Sequence, residues 1–140
     1  MAQFFFGSKG SPERQMTNLE DIRRMMLNPK HPAWIGGGNI GGTIRADLCD
    51  ETVRKIVIGV NQTHGFYLVY SPGGGPYSWA YTDLTRLDET ADAFDDYAVS
   101  LGFFIPPDDA WMAVEDFYNN NGERSPRVKW CDIPPEKAQL

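Results

Sequence analysis

The strongest constraint on this chain is a run of three strand-like segments between residues 52 and 82, separated by turn-forming residues. Val53, Ile56, Val57, Ile58 and Val60 supply β-branched side chains to the first, Gly65 to Ser71 forms the second, and Tyr77 to Thr82 the third. The connections are Asn61-Gln62-Thr63-His64-Gly65 and Pro72-Gly73-Gly74-Gly75-Pro76, which makes consecutive antiparallel pairing the economical arrangement. In the second segment Phe66, Leu68 and Tyr70 point one way and Tyr67, Val69 and Ser71 the other. That alternation predicts a sheet covered by helix on one face and bearing aromatic groups on its second face.

Two helices are expected to flank the sheet. In residues 18–28, Leu19, Ile22 and Met26 recur on one helical face, Thr17 and Glu20 have capping-box spacing, and Asn28-Pro29 stops the run. The clearer helix runs from Asp108 to about Tyr118, with negative charge at its start and Ala110, Ala113, Val114 and Phe117 as a core stripe. Residues 43–48, 97–105 and 128–130 are candidates for further short strands, the second as an edge strand, and the acidic stretch 83–96 is read as a loop. The expected fold class is α+β, an antiparallel meander packed against an N-terminal and a C-terminal helix. Residues 1–140 form a single domain, with 1–16 and 134–140 as loosely ordered termini.

Composition narrows the function. The 140 residues carry 19 acidic and 13 basic side chains, a net charge of -6, with 41% hydrophobic and 13% aromatic residues, which suits a folded domain rather than a disordered one. A basic face for phosphates is not to be expected, so direct nucleic-acid binding and an anionic membrane are poor partners. No run reaches the roughly 18 apolar residues of a membrane span. The first residues lack a basic leader, which points to the cytoplasm, to reduced Cys49 and Cys131, and to a chance glycosylation match at Asn61-Gln62-Thr63.

Chemistry-bearing motifs are scarce. Gly36 to Gly42 is rich in glycine, but no confident strand feeds it, no helix follows, and it lacks the Lys-Ser/Thr ending of a phosphate loop. His31 and His64 sit in turns with no nucleophile or carboxylate brought toward them by sequence, and two Cys with two scattered His give no metal-site spacing. No catalytic residue, metal or cofactor is therefore expected. Asp95-Asp96 and Asp108-Asp109 are explained by a loop and a helix cap, and a small hydrolase using His64 with a carboxylate is the weaker enzyme reading.

Charge is distributed more informatively. Asp83, Asp88, Glu89, Asp92, Asp95, Asp96, Asp108, Asp109, Glu115 and Asp116 share residues 83–116 with one base, Arg86. Such a stretch is either a solvated face or a steering surface for a basic protein partner. Trp79, Tyr81 and Trp111 lie beside or among these acids, as amphipathic aromatics do at interaction hot spots. Asp83, Asp88, Glu89, Asp92, Asp95 and Asp96 with Trp79, Tyr81 and Trp111 are the candidate partner-binding residues.

Residues 50–131 contain Gly65-Phe66-Tyr67-Leu68-Val69-Tyr70-Ser71, Pro76-Tyr77, Ile105-Pro106-Pro107, and an amphipathic helix ending in Phe117-Tyr118. Gly122-Glu123-Arg124-Ser125-Pro126 and Val128-Lys129-Trp130 follow. This pattern resembles an immunity-protein family of bacterial polymorphic toxin systems, the first family of the Imm series. The resemblance implies a small non-catalytic cytoplasmic protein that occludes the active or substrate-binding site of a cognate toxin. It is similar to inhibitors of deaminase-type toxins, zinc-dependent enzymes whose basic substrate groove an acidic surface suits. Within the motif, Phe117, Gly122, Arg124, Pro126 and Trp130 are expected to build the fold. The alternative is a non-catalytic adaptor domain binding another basic protein.

Overall fold

The computed structural model describes residues 2–36, 39–86, 88–94 and 97–135. The chain forms β1 (Gln3–Ser8), β2 (Ser11–Gln15), α1 (Glu20–Met26), a 3-10 turn at Pro32–Trp34, β3 (Ile35–Gly36), β4 (Asn39–Ile40) and β5 (Gly42–Asp47). It continues with β6 (Val53–Asn61), β7 (Gly65–Ser71), β8 (Ser78–Ala80), β9 (Thr90–Phe94), β10 (Tyr97–Ser100), a 3-10 turn at Leu101–Phe103, α2 (Pro107–Asn119) and β11 (Trp130–Cys131). The architecture is mixed, with two helices and a seven-stranded antiparallel sheet in the order β11-β8-β7-β6-β5-β1-β2. None of the helices among the described residues is long and apolar enough to cross a membrane.

The meander from β5 to β8 follows the sequence pattern. Thr43 lies opposite Val57, Val57 opposite Val69, and Val69 opposite Trp79, so one row of side chains crosses four strands on one face. The opposite pleat sends Ile44, Ile56, Ile58, Val60, Phe66, Leu68 and Tyr70 into one core. Ile22, Met25 and Met26 of α1 and the predicted stripe of α2 bury in that same core. Burying apolar side chains of this size stabilises by about 1.5–3 kcal/mol each before entropy is subtracted.

The N-terminal residues differ from expectation. Instead of a loose terminus, residues 3–15 form a hairpin whose β1 pairs along its whole length with β5. The period of two in Phe4-Phe5-Phe6 explains this: Phe4 and Phe6 enter the core while Phe5 faces the other side. Phe6 meets the buried Trp34 edge-on at 5.8 Å, and Phe4 meets Phe117 at 5.7 Å. Trp34 also donates its indole N–H to the Met25 carbonyl at 3.0 Å, locking the 3-10 turn against α1. At the other end, the expected loose tail 134–140 lies for the most part outside the described residues.

The glycine-rich stretch has a packing role. β3 and β4 form a ribbon that crosses the β1–β2 turn so closely that a Cβ at Gly36 would fall on the Lys9 carbonyl. Lys9 donates its N–H to Gly41 O and Gly10 its N–H to Ala33 O, both at 2.9 Å, so this is backbone-on-backbone contact.

Residues 83–105 also depart from a loop followed by an edge strand. β9 and β10 pair as a separate ribbon that covers part of the second sheet face, where Tyr67, Ala93, Val99, Phe103 and Phe104 form a second core. Ala91 and Ala93 alternate inward, which acidic composition alone masked. A Cβ at Gly59 would stand 2.7 Å from Ala93 O, so β9 lies directly on β6. Ile105 forms an isolated antiparallel bridge to Phe66 of the main sheet.

The start of α1 differs in detail too. The Thr17–Glu20 capping box does not form; the helix begins after Leu19, and Asn18 Oδ1 accepts from Glu20 N–H at 2.7 Å. α2 begins after Pro106 with Pro107 in its first turn and no side-chain cap, because proline supplies the required φ and has no N–H to satisfy.

Truncating Phe6 to Ala is expected to lower stability by about 3–5 kcal/mol in chemical denaturation, the range for buried aromatics. A loose N-terminus predicts no change. Gly36→Ala is expected to cost at least the ~1–3 kcal/mol of overpacking, because backbone rather than a flexible side chain must move; a thermal melt measures the loss.

Candidate functional site

The described acids of residues 83–116 divide between two layers of the molecule, Glu115 and Asp116 lying on α2. The β8–β9 connection wraps around Gly102: Thr82 and Asp83 donate their N–H groups to Gly102 O, and Gly102 donates to Arg86 O. Within it, Asp83 accepts from Thr85 Oγ1 at 2.5 Å and from Thr85 N–H at 2.9 Å, which holds its carboxyl below the usual range. Glu89 pairs with Arg86 at 3.2 Å with both side chains more than half exposed, an interaction worth little. Asp88 and Asp92 are exposed and have no ion-pair partner among the described residues. Asp92 points outward because its neighbours Ala91 and Ala93 point in, and its carbonyl accepts from Asn61 Nδ2 at 3.0 Å. Asp95 and Asp96 lie outside the described residues.

Trp79 and Tyr81 belong to this same side. Both are half-buried against the second core. The candidate set omitted two exposed aromatics: Tyr77, 54% exposed with its ring 6.4 Å from Trp79, and Tyr97, 43% exposed with its ring 6.1 Å from Tyr67. Trp111 is placed elsewhere. It packs against the first core from α2, on the other side of the sheet from the ribbon.

The acids at the end of α2 serve the fold. Arg127 reaches Glu115 at 2.9 Å and Asp116 at 2.8 Å, and Ser125 Oγ donates to Asp116 at 2.5 Å. The Arg127 hydrogen bond, helped by Ser125 and opposed by partial burial, holds the Asp116 carboxyl below its usual range. Part of the negative charge of residues 83–116 is therefore compensated by a base outside that stretch.

The Gly-Glu-Arg-x-Pro-x-Val-x-Trp string forms a strap from α2 to the sheet edge. Phe117 is fully buried, and Asn121 and Gly122 take φ of 55° and 78° to turn the chain out of the helix. A Cβ at Gly122 would stand 2.8 Å from Ala46 Cβ, and Tyr70 donates its hydroxyl to Gly122 O at 2.9 Å. Arg124 donates to Ser78 Oγ at 2.9 Å and lies 3.6 Å from Asp132, while Pro126 sits exposed in the following turn. Trp130 joins β11, donates its indole N–H to Ser125 O at 2.9 Å and places its ring 6.0 Å from that of Tyr70.

One further cluster escaped sequence reasoning. On the second sheet face, Arg45 stacks over Phe5 at 4.4 Å and pairs with Asp47 at 2.9 Å and Glu13 at 3.0 Å. Its residues come from three strands, and the Phe5 position in the period-two N-terminus was the available signal. The histidines keep local roles: His31 Nδ1 accepts from Ala33 N–H at 3.1 Å, and His64 lies in a turn closed by Asn61 Oδ1. No group of His, Cys, Asp and Glu among the described residues is arranged to hold a metal ion.

No family model matches the chain, and no curated protein or solved structure matches it either.

Asp116→Asn is expected to lower the melting temperature by a few degrees at neutral pH and to flatten the acid limb of the stability profile. A depressed carboxyl stabilises above the unfolded pKa, near 3.9, and the contribution disappears as pH falls through the lower folded value. Melts from pH 2 to 7 measure both effects. Trp130→Ala is expected to cost about 3 kcal/mol, the low end for aromatic truncation because the ring is half-exposed.

Proposed function

We propose that the protein is an immunity protein that binds a cognate bacterial toxin and occludes its active or substrate-binding site. The observation that carries this reading is the pairing of exposed carboxylates with half-exposed aromatics on the ribbon side of the sheet. Asp88 and Asp92 are exposed there with no ion-pair partner among the described residues, Asp83 and Glu89 lie in the same stretch, and Trp79 and Tyr81 pack against the second core. Negative potential of this kind accelerates encounter with a cationic groove, and aromatic side chains with apolar bodies and polar tips then bury contact area. The resemblance of the Gly-Glu-Arg-x-Pro-x-Val-x-Trp segment to the immunity family supplies the class of partner: a toxin domain with a basic substrate groove, such as a zinc-dependent nucleic-acid deaminase. Inhibition is by occlusion and requires no chemistry of its own, and the protein acts in the cytoplasm of the cell that makes it.

The division of acids between layers refines the proposed surface. Asp83, Asp88, Glu89 and Asp92 with Trp79 and Tyr81 constitute it, extended by Tyr77 and Tyr97. Trp111, in the helical layer, supports the fold from the other side, as do Glu115 and Asp116.

Co-expression with the toxin domain encoded beside this gene is expected to restore growth and to yield a stable co-purifying complex. Continued toxicity with no complex overturns the proposal. Binding to an unrelated basic protein in place of the toxin would establish the adaptor alternative. Asp88→Lys together with Asp92→Lys is expected to slow association with the toxin by about tenfold or more at low salt, converging with the parent protein at high salt. Stopped-flow rates across a salt series measure this, and an unchanged rate removes these acids from the interface.

A further inference from the structure

We draw no further inference here: the strongest candidate, the uncovered half of the second sheet face with its shallow cavity of about 330 Å³ floored by Gly7, Thr43 and Val57 beside the Glu13–Arg45–Asp47 cluster, is an unpartnered surface, and nothing in the structure shows what covers it.

Discussion

Pairing of β6 with β7 is the constraint on which the other elements depend. Their register runs from Lys55 opposite Ser71 to Asn61 opposite Gly65, and it commits every side chain of both strands to one of two faces. Ile56, Ile58, Val60, Phe66, Leu68 and Tyr70 go to one face, where α1, α2 and Trp34 complete the core. Tyr67 goes to the other and requires a second cover, which the β9–β10 ribbon provides. A slip of one residue would exchange these sets and leave both covering layers without their apolar counterparts.

Each covering layer is fastened by polar contacts as well as by burial. On the helical side, the strap from Gly122 to Trp130 links α2 to β8 through Arg124, Ser125 and Arg127, and Tyr70 ties the strap back to the central strand. On the ribbon side, Asn61 holds the β9 backbone and Gly102 holds the β8–β9 connection. The sheet thereby separates two acidic populations. Glu115 and Asp116 are paired with Arg127, whereas Asp88 and Asp92 are exposed with no ion-pair partner among the described residues.

The meander, the α2 stripe and the two-faced character of β7 were legible because each rests on a local period: two along the strands and 3.6 along the helix. The N-terminal hairpin and the β9–β10 ribbon were harder to read. Phe4-Phe5-Phe6 reads as part of a loose terminus until β5 supplies its partner, and Ala91 and Ala93 are too small to stand out among acids. The capping box failed although its spacing was present, because Asn18 took the contact with the first helical N–H. Among the candidate residues, Trp79 and Tyr81 were placed together by β8 and the second core. Trp111, equally aromatic and equally close to acids in sequence, was separated from them by the sheet.

The sequence by itself determined the acidic balance of the chain, the antiparallel core strands, both helices and the stretch in which negative charge accumulates. These follow from side-chain volume, periodicity and charge, which act over a few neighbouring residues. Only the tertiary structure decided that residues 3–15 join the sheet, that β9 and β10 leave it to cover the second face, and which acids are compensated. Those outcomes depend on partners distant in the chain, Gly59 beneath Ala93 and Arg127 beside Asp116 among them, and such long-range contacts carry no local signature.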